Sequence, residues 1–416
     1  MPSPIFCIVG AGMAGGRAAI SLRERGFDGR VVLIGEESDA PYERPPLSKS
    51  YLTGDLPRGK LFLQAPDAYR EQTIEWQPGV TVAAIDLPQR RLRLADGVPL
   101  AFDRLLLATG SRPRTLEIPG ASLAGVLSYR TLGDADSLRA ELESGPQVVV
   151  VGGGFLGSEL ASAAQRQGCR VTILEAAEAL LAPLGPLVSS YCTDLHRQLG
   201  VEVLLGESAD CFLGSERVEQ VQLRSGRSLP CDLALICIGA VPNSELAREA
   251  GLETEPGVVV GERCQTRTRG IFAAGDVASW WSPRWQRQLR VEHYDNAHQQ
   301  GLFVAGAMLG ETAPYDPIPY FWTEQYDAMI QQVGVPGGPG EMVVRGDPES
   351  GRFSVFYLAE GLLSSCVAVN RFPDLAAARR LISARIGVTG ELLRNPELDL
   401  RAWSQEAVES AGGASA

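Results

Sequence analysis

Two glycine-rich turns constrain this chain more than anything else in it. The first reads Gly10-Ala-Gly12-Met-Ala-Gly15 and follows the apolar run Ile5-Phe-Cys-Ile-Val9. The second reads Gly152-Gly-Gly154-Phe-Leu-Gly157 and follows Val148-Val-Val-Val151. Each fits a strand that turns tightly into the start of a helix. Such a turn aims backbone N–H groups and the helix N-terminus at a pyrophosphate. Two turns imply two dinucleotides, and a chain that holds two dinucleotides is suited to passing electrons from one to the other.

A lone motif of this kind is weak, but each copy here is followed by a second strand ending in an acid, Glu36 and Glu175, about 20 residues beyond its turn. A carboxylate there accepts hydrogen bonds from both ribose hydroxyls and repels a 2′-phosphate. No arginine follows Glu175 until Arg197, so the second site is expected to prefer NADH over NADPH. A further buried strand, 233–238, ends at Gly239 beside that second site.

The rest of the chain reads as α/β. Helices are expected over 13–25, 155–167 and 296–309, and buried strands over 31–34, 105–110 (ending on a glycine turn), 171–174 and 233–238. The segment 41–49, Pro-Tyr-Glu-Arg-Pro-Pro-Leu-Ser-Lys, has too many prolines for a regular element. The strand ending at Gly275-Asp276 fits as a closing strand of the first unit, which places the second dinucleotide domain inside the first. Past residue 319 the pattern changes to short strands (329–333, 341–345, 353–358, 365–370) and one helix (375–385), a separate α+β domain. The expected domains are therefore 1–112 with 244–318, then 113–243, then 319–401, with 402–416 a disordered tail.

Bulk properties narrow the function. The 416 residues exceed one hydrophobic core, and a net charge of −12 disfavours nucleic acid as a partner. No apolar run approaches the roughly 20 residues needed to span a bilayer, so no membrane association is expected. The first strand starts too early to leave room for a leader, so a cytoplasmic protein is expected. The eight cysteines are scattered, with no metal knuckle and no CxxC pair; they read as small buried hydrophobes. Only Lys49 and Lys60 represent lysine among 38 basic residues, so each surviving lysine invites attention.

These motifs, with Tyr42-Glu-Arg-Pro-Pro-Leu-Ser-Lys49, Ala108-Thr-Gly110, Gly275-Asp276 and Phe321-Trp-Thr-Glu-Gln325, resemble the FAD-dependent NADH:ferredoxin (redoxin) reductases of bacterial oxygenase systems. The resemblance spans roughly residues 3–400. It implies two Rossmann-like domains in a glutathione-reductase-like arrangement, the NAD domain inserted in the FAD domain, plus a C-terminal α+β domain. Residues 155–161 and 290–297 also resemble apoptosis-inducing flavoprotein. By the resemblance the first turn binds FAD and the second NADH. The implied FAD contacts are Gly10, Gly12, Ala14, Gly15, Glu36, Arg44, Lys49, Val82, Arg130, Asp276, His293, Tyr294 and Trp322. The NADH contacts are Gly152, Gly154, Gly157, Glu159, Glu175, Gly239 and Glu292. No metal site is expected in the chain itself.

Lys49, Glu159 and Trp322 are the candidate catalytic residues. A cation near the flavin would favour the anionic reduced ring, and Glu159 could pair with Lys49 across the interdomain cleft. Trp322 would stack the reacting rings or simply pack between domains; Pro45 and Pro46 form a wall beside the ring or merely a turn. A flavin is needed because NADH delivers two electrons together whereas a [2Fe–2S] ferredoxin accepts one. Trp280-Trp-Ser-Pro-Arg284-Trp-Gln-Arg287-Gln-Leu-Arg290, with Arg58 and Lys60, is a candidate basic and aromatic docking patch for an acidic ferredoxin. The resemblance implies a ferredoxin serving a cytochrome P450 or a ring-hydroxylating dioxygenase, and leaves monomer and homodimer open. A flavoprotein disulfide reductase is disfavoured because 41–49 lacks cysteine. An NADH-sensing flavoprotein of the apoptosis-inducing type, with slow turnover, remains the alternative.

Overall fold

In the computed structural model, residues 3–336 and 340–413 are described. The run Ile5–Val9 is the middle strand of a five-stranded, all-parallel sheet whose order is Ile271–Ala273, Arg104–Leu107, Ile5–Val9, Arg30–Ile34 and Ile74–Gln77. Near-continuous apolar strands of this kind require both faces of the sheet to be covered; Cys7, Ile8, Val31, Val32, Leu105 and Leu106 have no exposure. The run Gln147–Val151 has the same place in a second parallel sheet, ordered Glu202–Leu205, Arg170–Glu175, Gln147–Val151, Leu233–Ile236 and Val126–Ser128. A third five-stranded sheet, entirely antiparallel, is built from Tyr320–Gln325, Ala328–Gly334, Leu362–Val369, Arg352–Ala359 and Glu341–Asp347.

Contacts divide the chain into two units. Unit 1 comprises Met1–Pro46, Leu56–Arg112 and Ala240–Pro317; unit 2 comprises Leu47–Asp55, Pro113–Gly239 and Ile318–Ala416. Each contains one parallel sheet. The short segment 47–55 belongs to unit 2 because its own bonds run there. Tyr129 donates its hydroxyl to the Leu47 carbonyl at 2.5 Å, Tyr51 donates to Asp136, and Gln167 donates to the Leu52 carbonyl at 3.5 Å. Within 41–49 the prolines permit one short 3-10 turn, Pro45–Ser48.

The tail expected to be disordered from 402 onward instead contains the helix Leu400–Gly413, which packs on the helix Phe372–Ala384; residues 414–416 lie outside the described residues. The anchor is local. Arg345, buried at 6% exposure, donates to the carbonyls of Leu393, Asn395 and Leu398 and so fixes the chain just before this helix. Ser404 is fully buried and Arg380 donates to it at 3.3 Å.

Within unit 2, His196 is a core residue, as its place on an amphipathic helix allows. Its ring nitrogens meet the Tyr326 hydroxyl at 3.0 Å and Gln325 Oε1 at 3.1 Å. Burial lowers its pKa to about 4, against a smaller opposing effect of the Gln325 bond. Between this value and the ordinary 6.5, the unfolded chain binds a proton that the folded chain refuses. Stability from this group is therefore complete above about 6.5 and is lost as pH falls to about 4, a loss of order ~3 kcal/mol. The urea midpoint of the wild type is expected to fall more steeply over this window than that of His196→Gln, and equal slopes would refute the assignment.

Candidate functional site

The two glycine turns have the same geometry, each inside its own unit. Gly10 and Gly152 have φ of +108° and +106°. A Cβ at Gly10 would sit 2.1 Å from the Ala108 carbonyl oxygen, and one at Gly152 would sit 2.4 Å from that of Cys237. Both positions therefore need glycine for conformation and for clearance. Gly15 and Gly157 let the helices Met13–Glu24 and Phe155–Arg166 approach their own turns, since a Cβ at either would lie 1.9 Å from the oxygen of Gly10 or Gly152.

At the middle glycines the situation reverses. A Cβ on Gly12 or Gly154 would meet nothing within 4 Å. Both are helix N-caps with extended backbone, neither helix start has a side-chain cap, and neither first turn carries an acid. Helix starts with no side-chain cap, no acid in the first turn and open space beside the capping glycine fit a pyrophosphate; at the second turn Glu175 takes only the preceding Gly153 N–H. This is the local chemistry a dinucleotide requires, and it occurs twice.

The acids differ in detail. Glu175 ends its strand and accepts from the Gly153 and Ala177 N–H groups at 2.7 and 2.8 Å. In unit 1 the register places Gly35 where Glu175 stands, because Ile34 pairs with Val9 as Leu174 pairs with Val151. Glu36 is one residue further and exposed. Its neighbour Glu37 is the residue engaged by Arg44, at 2.7 Å, and by the Tyr42 hydroxyl at 2.5 Å. The sequence reading did not single out Glu37; adjacent acids in Gly35-Glu36-Glu37 give no signal of which one is tied to the protein.

Unit 1 also gathers Arg44, Asp276, His293 and Tyr294. Burial opposes the charge on Arg44, but the fields of Tyr42, Glu37 and Asp276 together raise its pKa. Asp276, 9% exposed, accepts from the Ser111 hydroxyl at 2.8 Å. The preceding Gly275 N–H is held by Gln300 Oε1 at 2.7 Å, which fixes the Gly-Asp turn against the helix Tyr294–Leu309. Burial lowers the His293 pKa to about 4 despite Asp276, so this imidazole is neutral at physiological pH. Tyr294 donates to Glu43 at 2.7 Å. Val82 lies on a small antiparallel sheet, paired with Leu94. Glu292 is exposed and ion-paired with Arg290.

Unit 2 holds a second constellation. Glu159, 7% exposed, lies on the second-turn helix. Lys49 Nζ donates to its Oε2 at 2.6 Å and the Ser48 hydroxyl donates to the same oxygen at 2.5 Å. The Thr323 hydroxyl donates to Oε1 at 2.7 Å. The expected Lys49–Glu159 pair exists, and it lies inside unit 2 rather than across a boundary between domains. Ser48 and Thr323 were not anticipated. Trp322, next to Thr323, is half-buried, stacks on Tyr320 with ring centroids 5.9 Å apart and donates to Glu324 at 3.1 Å. Gly239 has φ of +98° and open space around it. Arg130 precedes the capping residue of helix Leu132–Leu142, and its backbone N–H donates to Asp134 at 2.9 Å.

The expected docking patch is internal only in part. Trp280 is fully buried and meets Tyr315 edge-on at 5.5 Å, because the strand Ala278–Ser282 turns it inward and leaves Trp281 40% exposed. Arg284 is paired with Asp316, Arg290 with Glu292 and Arg58 with Asp39. Arg287 and Lys60 remain exposed.

Residues 5–301 match the pyridine nucleotide-disulphide oxidoreductase family and residues 320–404 the reductase C-terminal family. The chain is 39% identical to the biphenyl dioxygenase system ferredoxin–NAD(+) reductase component of Paraburkholderia xenovorans strain LB400, covering 95% of this chain and 97% of that protein. It is 36% identical to putidaredoxin reductase of Pseudomonas putida, covering 95% of each. The ferredoxin reductase for the CYP199A2 system from Rhodopseudomonas palustris superposes with a TM-score of 0.93 at 36% identity, over 96% of this chain and 99% of that one. The covalent putidaredoxin reductase–putidaredoxin complex also matches with a TM-score of 0.93 at 36% identity, over 99% of this chain and 100% of the matched chain.

Proposed function

This chain belongs to the pyridine nucleotide-disulphide oxidoreductase family, and from that membership we propose that it is an NADH-dependent, FAD-containing ferredoxin reductase. Its acceptor would be a [2Fe–2S] ferredoxin that serves an oxygenase, a cytochrome P450 or a ring-hydroxylating dioxygenase. Residues 1–112 and 244–318 would hold FAD, residues 113–243 NADH, and 319–401 would form the third domain. The observation that carries the reading is the pair of equivalent pyrophosphate cradles at Gly10–Gly15 and Gly152–Gly157. Among the relatives named above are the ferredoxin–NAD(+) reductase component of a biphenyl dioxygenase system and the ferredoxin reductase for the CYP199A2 system, which supports the choice of acceptor.

The disulphide chemistry in the family's name does not suit this chain. All eight cysteines are free, and burial pushes the thiols of Cys7, Cys192, Cys231 and Cys237 up to about 12. A thiol held that high is a poor nucleophile at neutral pH. When bound, FAD supplies the conversion from a two-electron hydride donor to a one-electron acceptor.

The protein's part is binding and orientation. The backbone N–H groups at Gly12, Ala14 and Gly15 would bind the FAD pyrophosphate and Glu36 its ribose. Arg44, Asp276, His293 and Tyr294 would contact the remainder, with Ser111 holding the Asp276 carboxylate in place. In unit 2 the turn at Gly152–Gly157 would bind NADH and Glu175 its adenosine ribose. Glu159 holds the Lys49 ammonium at a fixed point, and Ser48 and Thr323 hold Glu159. Lys49 would then present a positive charge toward developing negative charge on the ring.

Mixing the yellow protein with NADH, a [2Fe–2S] ferredoxin and cytochrome c tests this directly. Rapid NADH-dependent cytochrome reduction that requires the ferredoxin is expected. A slow, persistent long-wavelength band without turnover would favour the NADH-sensing alternative. Selectivity gives a second test. Glu175→Ala removes the carboxylate that repels a 2′-phosphate, and the ratio of kcat/KM for NADH over NADPH is expected to fall at least tenfold, about 1.4 kcal/mol. An unchanged ratio would remove Glu175 from the nucleotide site.

A further inference from the structure

Unit 1 has a cleft at the end of its parallel sheet opposite the Gly10 cradle. Arg104 opens its strand level with Phe6 at the start of Ile5–Val9, whereas Gly10 and Ala108 lie beyond the far ends of the same two strands. The beginnings of Arg104–Leu107 and Ile271–Ala273, the turn carrying Arg90 and the end of helix Tyr294–Leu309 border a half-open space of about 650 Å³. This volume falls in the range of small-molecule sites, about 300–1,000 Å³.

Four arginines line it: Arg90, Arg104, Arg263 and Arg269. In a chain with a net charge of −12 this is a concentration of the minority sign. Among the described residues none of the four is ion-paired with a carboxylate. The two acids on the wall are already committed: Asp103 Oδ2 accepts from the Ile5 N–H at 2.7 Å, and Glu311 is paired with Arg25. Arg90 and Arg104 are braced in place. Arg90 donates to the carbonyls of Asp103 and Arg269 and lies over the Phe102 ring at 5.4 Å. Arg104 lies over the Phe6 ring at 5.5 Å. Burial, then the like charges of Arg269 and Arg90, lower the Arg104 pKa. Arg104 thus feels the like charges of Arg269 and Arg90, and an anion among these groups would relieve that repulsion.

We propose that this cleft binds a compact polyphosphate, supplied as inorganic triphosphate or as the phosphate chain of a nucleoside triphosphate. Guanidinium forks match phosphate oxygens two at a time. Four of them around one small volume call for a ligand with several charges on adjacent groups, which a single carboxylate or a dicarboxylate lacks. A dinucleotide is not required here, since each glycine cradle already provides for one. The site is separate from both cradles in sequence and uses none of the residues assigned to hydride transfer.

The test uses the FAD-loaded full chain, saturated with NAD+ so that the dinucleotide site is filled, and titrated calorimetrically with inorganic triphosphate, ATP and adenosine. One triphosphate per chain is expected to bind, and ATP is expected to compete with it. ATP binding more tightly than triphosphate would identify a nucleotide ligand; equal affinities would identify the phosphate chain alone. Arg263→Glu with Arg269→Glu, both exposed loop residues, is expected to weaken binding at least tenfold while flavin content and NADH-dependent dye reduction stay unchanged. Arg104→Gln is expected to weaken it in the same direction. Absence of saturable triphosphate binding at millimolar concentration, or undiminished binding in the double variant, would overturn the proposal.

Discussion

Lys49→Met is expected to slow reduction of the bound flavin by NADH about 100-fold or more while the protein remains folded and yellow. The side chains of Lys49 and Glu159 are 13% and 8% exposed, and their charges meet at 2.6 Å. Methionine keeps most of the lysine's length and loses the charge. Two consequences follow from one change. The ammonium no longer faces the developing negative charge, and a lost transition-state interaction of about 2.7 kcal/mol is a 100-fold slower step. Glu159 is also left as a buried carboxylate without its cation, which costs about 3–5 kcal/mol of stability. Ser48 and Thr323 still donate to Glu159, which places the stability loss at the low end of that range.

A double-mutant cycle separates these consequences. Glu159→Gln alone leaves Lys49 buried without its anion and is also destabilising. Lys49→Met with Glu159→Gln removes both charges, so its stability loss is expected to be well below the sum of the two single losses. The hydride-transfer defect is expected to persist in the double variant, because the cation is still absent. Stopped-flow absorbance at the flavin band reads the rate, and urea unfolding reads the stability. Flavin reduction within twofold of wild type in Lys49→Met would reduce this pair to a structural ion pair.

The parts that the sequence made legible share one property: their chemistry is encoded within a few adjacent residues. A glycine with positive φ, a helix that starts three residues later and a β-rich run before it all lie in one short window at Gly10 and again at Gly152. The Glu159 network is different. Its donors come from residues 48, 49 and 323, and a single serine or threonine carries no period or spacing that announces a buried acceptor. Only the placement of Tyr320–Gln325 in unit 2 brings Thr323 to the carboxylate. Trp280 and Trp281 mark the opposite error. Adjacent tryptophans read as a sticky surface, yet in a strand neighbours point to opposite faces, so one is core and the other is partly exposed. Arginines nearby looked basic as a run, but Asp316 and Glu292 neutralise two of them in space. The final helix, Leu400–Gly413, was obscured because small and polar residues near the terminus resemble an unstructured tail. Its order depends on Arg345, more than 50 residues earlier in the chain, as a buried donor to the preceding carbonyls.

Gly10→Ala and Gly152→Ala are expected to have opposite signatures although the substitution is the same. At each site a methyl group is forced onto a backbone with φ above +100° and toward a carbonyl oxygen within 2.4 Å. Neither neighbour is a flexible side chain that can yield, so the turn itself must move. In Gly10→Ala the turn that moves is the one assigned to FAD. The purified protein is expected to be largely colourless, with flavin occupancy down at least tenfold and a lower melting temperature, since a ligand bound only to the native state stabilises it. In Gly152→Ala the moved turn is the one assigned to NADH. That variant is expected to remain yellow and to be reduced normally by dithionite, while NADH reduces it at least 100-fold less effectively at low concentration. Because the two turns are so alike in geometry, only the identity of the dinucleotide each receives distinguishes the outcomes. If Gly152→Ala lost its flavin and Gly10→Ala kept it, the assignment of the two cradles would be reversed; if both kept full activity with NADH, neither turn would be a dinucleotide site.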